Sequence, residues 1–179
     1  IISEDTLITL NYNSGEHKYE KVIVSAGSWS NNLSKKFGDN FPLDTERGYH
    51  VMFDNHGLIN RPIGWSQSGF YLVQLEEGLR AAGTVEIAGL SKPKNKKRTK
   101  MIENQARKLL PKLNNVKSTW MGFRPTLPDS LPVIGPSKKN KNIIYAFGHQ
   151  HIGWTLGAVT GKIITSICNE RVPNIDIEP

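Results

Sequence analysis

Residues 142–169 constrain the fold more than any other stretch. They run from an unbroken apolar segment through a glycine-bearing turn into an amphipathic one. Residues 142–147 (Asn-Ile-Ile-Tyr-Ala-Phe) read as a buried strand, and residues 155–169 as a helix with Leu156, Val159, Ile163 and Ile167 on one face. Gly153, Gly157 and Gly161 recur every fourth residue and line a second face without side chains. Such a stripe admits a close backbone or a flat ligand. The turn between them is Gly148-His149-Gln150-His151-Ile152-Gly153-Trp154-Thr155. A helix N-terminus fed by such a turn offers unpaired N–H groups and partial positive charge, which suit anionic ligand atoms. On the residues alone, tight packing and ligand binding both stay open.

The front of the chain has a related layout. Residues 6–12 alternate apolar and polar positions, residues 13–16 are turn chemistry, and residues 19–25 return as a strand ending in Val22-Ile23-Val24. Ala26-Gly27 breaks that strand, and Ser28 is placed to cap a short helix stopping near Gly38. Residues 1–43 and 121–179 therefore read as two parts of one α/β layer.

Between them the pattern changes. Residues 46–53, 59–64, 70–75 and 79–87 read as strands, with Glu76-Glu77-Gly78 as a tight hairpin. Strands in succession without helices predict an antiparallel sheet. A helix over residues 100–110 places Ile102, Ala106, Leu109 and Leu110 in one stripe to pack on that sheet, and residues 116–124 add a strand. Residues 44–120 are thus expected to form a second domain.

The net charge of +7 is concentrated: removing Lys92, Lys94, Lys96, Lys97, Arg98 and Lys100 leaves +1. A solvated loop is one reading of this cluster, and contact with an anionic membrane face is the other. Nucleic acid is disfavoured, because no aromatic residues interleave with the charges to stack on bases. No run of about 18 apolar residues occurs, so no spanning helix is expected. The single cysteine, Cys168, cannot form an internal disulfide; a buried, inert thiol in a reduced, cytoplasmic protein is expected. The opening Ile1-Ile2-Ser3 has neither Met nor a basic leader, which suggests a fragment of a longer chain.

Few residues suit chemistry. Arg124 ends an apolar strand in Gly122-Phe123-Arg124-Pro125, with Pro125 enforcing an extended exit. Either it pairs internally, with Asp129 the obvious partner, or its guanidinium clamps a carboxylate through two parallel bonds. Tyr49 and His50, in Arg47-Gly48-Tyr49-His50, either face a substrate cavity or pack in the core; Thr84 and Glu86 are weaker candidates of the same kind. His149 and His151 lack the third and fourth ligands a zinc site needs, so no metal is expected. No Gly-x-Ser-x-Gly elbow supports a serine hydrolase.

The arginine block and the two strand-to-helix turns resemble the closing half of the FAD-dependent D-amino acid oxidase superfamily, and most closely the small subunits of bacterial D-amino acid dehydrogenases. The resemblance implies the C-terminal part of a Rossmann-type FAD-binding domain joined to an antiparallel substrate domain with a packed helix. It implies that Gly148, His149, Gln150, His151, Ile152, Gly153, Trp154 and Thr155 lie along the flavin. It places Ser25, Ala26, Gly27 and Trp29 near the dinucleotide ribose and pyrophosphate, and Arg124 on the substrate carboxylate. The implied reaction is hydride transfer from a D-amino acid to FAD, giving a keto acid and ammonia, with quinone-linked reoxidation at the inner membrane. Glycine or sarcosine oxidases and proline or D-hydroxyproline dehydrogenases share the scaffold. The family's Gly-x-Gly-x-x-Gly pyrophosphate turn does not occur in these residues. That implies a missing N-terminal part, and an inactive fragment serving only for binding or assembly is the competing expectation.

Overall fold

The computed structural model describes residues 2–3 and 7–177 of the 179-residue chain. Thr6, expected to open the first strand, lies outside the described residues. The chain divides into two compact units, Ile1–Asp44 with Arg124–Pro179, and Thr45–Phe123.

The first unit holds two small sheets. β1 (Ile2–Ser3), β2 (Ile8–Tyr12) and β3 (Gly15–Tyr19) form an antiparallel meander. Its hairpin is tighter than expected: Tyr12 faces Gly15, which leaves Asn13-Ser14 as a two-residue turn. The expected strand over residues 19–25 is therefore two pieces, β3 and then β4 (Val22–Val24) in another sheet. Lys21 marks the step between them, its Nζ donating to the Cys168 carbonyl at 2.8 Å and pairing with Glu170 at 3.2 Å. Cys168 itself is half-buried rather than buried.

In the second sheet, β11 (Ile143–Phe147) lies between β10 (Val133–Pro136), antiparallel to it, and β4, parallel to it. Ile8, Val24, Ile143, Tyr145 and Phe147 form the buried core here. β10 was not among the expected strands. As an edge strand it tolerates a proline that cannot donate to the ladder. The helix expected from Ser28 begins earlier, because Gly27 (φ +55) turns the chain first. A 3-10 turn, Gly27–Trp29, leads into α1 (Ser30–Ser34); Ser28 is buried inside the turn, and the N-cap positions fall on Ala26 and Trp29 instead. A second 3-10 turn, Lys35–Phe37, ends on left-handed Gly38. α3 runs from Gly153 to Cys168.

The second unit is one five-stranded sheet with a helix on one face. β5 (Asp44–Phe53), β6 (Ile63–Trp65), β7 (Phe70–Leu75), β8 (Gly78–Ile87) and β9 (Val116–Thr126) pair in the order β6-β7-β8-β5-β9. The helix, α2, spans Lys96–Leu109 and lays Ile102 and Ala106 on Tyr49, Val51, Phe53, Leu72, Leu79 and Ala81. Fully burying such aliphatic or aromatic side chains contributes about 1.5–3 kcal/mol each. The hairpin at Glu76-Glu77 closes on Gly78 (φ +141), where a Cβ would meet the Phe53 carbonyl oxygen at 2.3 Å.

Two expectations need correcting. Of the second expected strand, 59–64, only residues 63 and 64 pair, in a strand that runs on to Trp65, because Pro62 lacks an N–H and Leu58 and Ile59 turn into the core instead. The lysine cluster is not a loop throughout, since α2 starts at Lys96 rather than near residue 100. Asn95 caps the helix, its Oδ1 accepting the Lys97 N–H at 3.1 Å. That cap offsets part of the cost of three cations at the positive end of the helix dipole.

Candidate functional site

β4 and β11 run side by side in the same direction, with Val24 opposite Tyr145. Their carboxyl ends therefore release both strand-to-helix turns at the same edge of the sheet, where open α/β sheets bind ligands. In the first turn Ser25 and Ala26 are exposed and Gly27 is half-buried, its left-handed backbone leaving space for a Cβ that no atom within 4 Å fills. Trp29 is 48% exposed.

The second turn is more constrained. Gly148 has φ +88, and a Cβ there would lie 2.3 Å from Leu127 Cδ1. Gln150, also left-handed at φ +49, donates its backbone N–H to the Pro125 carbonyl and its side-chain amide to the Leu127 carbonyl, each at 3.2 Å. His149 Nε2 lies 2.9 Å from Thr160 Oγ1, and burial lowers its pKa below the ordinary histidine value. His151, Ile152, Trp154 and Thr155 are exposed, Trp154 completely. Gly153 opens α3 with His149 Cβ 3.2 Å from where its own Cβ would be, whereas a methyl at Gly157 or Gly161 would meet nothing within 4 Å.

Arg124 lies one residue before this junction. Its Nη1 is buried and has no hydrogen-bond partner, and no carboxylate pairs with it among the described residues. Asp129 does not pair with it; Asp129 Oδ1 instead accepts the Leu131 N–H at 3.0 Å. A buried guanidinium nitrogen without a partner costs about 1–3 kcal/mol or more, so it is poised to repay that cost with an anion.

In the second unit, Tyr49 and His50 point to opposite faces of β5. Tyr49 is 2% exposed, and its hydroxyl donates to Glu86 and accepts the Asn95 N–H at 3.3 Å. Glu86 also accepts from Asn95 Nδ2 at 3.0 Å and lies 3.3 Å from Arg98 and 3.6 Å from buried Arg47. Tyr49 and Glu86 thus belong to one polar network under the sheet. Thr84 occupies the bulge opposite Gly48 and Tyr49, at φ +63 and with its buried Oγ1 unpartnered. His50 stacks on Trp120 with ring centroids 5.2 Å apart and planes 18° from parallel. Burial first, then Arg80 and Lys94, lowers the His50 pKa. Trp120 opens the arginine block but was given no role of its own in the sequence reading, although a signal was present. On a strand of period two it shares a face with Gly122, and the indole fills the space a Gly122 side chain would need.

Among the described residues no cluster of His, Cys, Asp or Glu is arranged to hold a metal, and no helix is long and apolar enough to cross a membrane.

Residues 3–167 match the family described as DAO, FAD dependent oxidoreductase. The chain belongs to that family, whose cofactor is FAD. It is 38% identical over 185 residues to a D-amino-acid oxidase of Bradyrhizobium diazoefficiens, covering 99% of this chain and 44% of that protein. It is 30% identical to a D-amino acid dehydrogenase of Paramagnetospirillum magneticum, covering 97% and 42%. Glycine oxidase from Geobacillus kaustophilus superposes with a TM-score of 0.83 at 21% identity, over 96% of this chain and 47% of that one. The chain spans less than half the length of each of these proteins.

Proposed function

We propose that this chain carries the carboxylate anchor and part of the flavin site of a D-amino acid oxidoreductase. The buried, unpartnered Nη1 of Arg124 carries this reading. A guanidinium held one residue from a fixed turn presents two parallel donors, the geometry an α-carboxylate accepts and a lone ammonium cannot match.

FAD fits the residues that would hold it. Ser25, Ala26 and Gly27 would lie along the dinucleotide, and Gly148 to Thr155 along the ring. Both turns leave the carboxyl ends of neighbouring parallel strands and carry glycine at left-handed positions. When bound, the flavin supplies the two-electron acceptor for oxidising the carbon that bears the amino group. The chain's own task is orientation: Arg124 fixes the carboxylate, and the hydrogen bonds of Gln150 to Pro125 and Leu127 fix the arginine's backbone against the glycine turn. The resulting imino acid hydrolyses to a keto acid and ammonia. Similarity to two enzymes named for D-amino acids, at 38% and 30% identity, supports that substrate class. Quinone as the final acceptor, and a preceding segment that completes the pyrophosphate site, belong to the same proposal.

The test is Arg124→Ala in the intact enzyme. It should lower kcat/KM for a D-amino acid by roughly 10²–10³, the loss expected for a charge-assisted pair of about 3–4 kcal/mol. Arg124→Lys should recover only part of this. Flavin content and thermal stability should stay at the parent's values. Unfolding on Arg124→Ala, with amines lacking a carboxylate oxidised as well as amino acids by the parent, would make Arg124 structural.

A further inference from the structure

All of the chain's net charge resides in one unit. Thr45–Phe123 carries thirteen Lys and Arg against six Asp and Glu, a net +7, whereas the rest of the chain holds ten of each. Within that unit the excess gathers on α2 and the residues leading into it.

The arginines and lysines there do different things. Arg98 Nη1 donates to the Val85 carbonyl at 2.8 Å, and Arg107 donates to the Leu113 and Asn114 carbonyls at 2.8 and 3.0 Å. The exposed cations are lysines: Lys92, Lys96, Lys97, Lys100, Lys108 and Lys112. Lys97, Met101, Asn104 and Lys108 follow one another at i, i+4, i+7 and i+11 and line, with Lys100, a shallow open depression. Met101 is 44% exposed among them. Glu103 is the helix's one carboxylate, and it is half-buried and paired with Lys100 and Arg107. The platform is also held in place. Arg47 Nη2 donates to the Lys92 and Pro93 carbonyls at 2.6 and 3.1 Å, and Lys94 Nζ reaches Thr119 Oγ1 at 2.6 Å.

We propose that this lysine face of α2 docks the protein on an anionic phospholipid bilayer. The partner follows from the chemistry presented. Lysines are point charges without the planar fork that reads individual phosphates, so they suit a smeared surface potential. The helix carries no aromatic side chain on which a base would stack. Met101 supplies an apolar spot among the lysines, and a shallow face matches a flat partner. Because the approach to α2 is already ordered, binding does not have to fix it.

The test is co-sedimentation of the intact, flavin-bearing protein with phosphatidylcholine vesicles, with and without phosphatidylserine, at low and at physiological salt. Binding should require phosphatidylserine and weaken with salt. The triple variant Lys97→Glu, Lys100→Glu, Lys108→Glu should bind at least about 100-fold more weakly, since each lysine near such a surface is worth about fivefold. Turnover of a soluble substrate should not change. The control Lys35→Glu, Lys36→Glu, Lys138→Glu, on the neutral unit, should bind like the parent. Binding indifferent to phosphatidylserine, or equal in the two triple variants, overturns the proposal. So does loss of oligonucleotide binding in the α2 variant with vesicle binding intact, which would reassign the face to nucleic acid.

Discussion

Gln150 donates its backbone N–H to the carbonyl of Pro125 across 3.2 Å, and so ties the turn after β11 to the residue that follows Arg124. The side-chain amide repeats the tie two residues on, at the Leu127 carbonyl. Gln150 adopts φ +49 to make both bonds. That conformation costs a non-glycine residue roughly 1–2 kcal/mol, and two hydrogen bonds of about 1 kcal/mol each offset it. The segment from Arg124 to Leu127 and the glycine turn therefore form one junction in the first unit.

That junction predicts a coupled pair. Gly148→Ala adds a methyl 2.3 Å from Leu127 Cδ1 at a backbone φ of +88, which should cost about 2–4 kcal/mol. Leu127→Ala, at a side chain only 5% exposed, should cost about 2–5 kcal/mol by leaving a cavity. Together the two should cost at least about 1 kcal/mol less than their sum, because the new methyl occupies part of the vacated space. Urea unfolding of the parent, both single variants and the double variant measures this. Strict additivity would mean that Leu127 does not set the identity of residue 148.

Glu86 predicts acid sensitivity. The Tyr49 hydroxyl above all, then Asn95 and Arg98, hold its carboxyl at about 2, against an ordinary 4.5. The unfolded chain binds this proton more readily than the folded one. The stability Glu86 contributes is therefore complete above pH 4.5 and is lost as pH falls towards about 2. Glu86→Gln should destabilise the protein at neutral pH by about 3 kcal/mol, because Arg47 stays buried without its counter-charge. The gap between variant and parent should close across that acid window, as followed by denaturant titration at several pH values. A gap that stays constant from neutral pH down to pH 2 would show that ionised Glu86 contributes nothing to the fold.

Much of this architecture was legible because the local signals agree with one another. The apolar runs before Ala26-Gly27 and before Gly148 mark β4 and β11, and the stripe of Ile102 and Ala106 marks the buried face of α2. Arg124 stood out because an arginine before a proline on an apolar strand has few uses, although β9 does not end there as expected but runs on through Pro125 to Thr126. What sequence did not reveal depends on register and on distant contacts. The neighbourhood of Arg47 and Glu86 exists only because β5 and β8 slip at a bulge between Gly48 and Tyr49. No local pattern brings Leu127 onto Gly148, 21 residues away. The start of α2 was hidden because Lys96-Lys97-Arg98 reads as solvated loop, and its cap, Asn95, is held by Glu86 of another strand.

Gly122 carries the last prediction. It stands in Gly122-Phe123-Arg124-Pro125, yet its need for glycine comes from Trp120: a methyl at Gly122 would sit 1.8 Å from Cη2 of the indole. The same indole covers His50, whose pKa burial lowers below 6.5, with Arg80 and Lys94 adding to the effect. A histidine so lowered stays neutral at pH 7 in the folded protein. Its contribution to stability is present above pH 6.5 and is lost as pH falls through its folded value. Gly122→Ala forces the indole aside, wets the imidazole and should raise the His50 pKa towards 6.5. Histidine-ring NMR titration measures this, with His50→Gln assigning the resonance. Trp120→Ala should raise it similarly, and adding Gly122→Ala to Trp120→Ala should raise it no further. If Gly122→Ala displaces the indole, seen as a red shift in tryptophan emission, and His50 still titrates as in the parent, then Trp120 does not shield it. The low pKa of His50 would then rest on burial by other groups, with Arg80 and Lys94 adding to it.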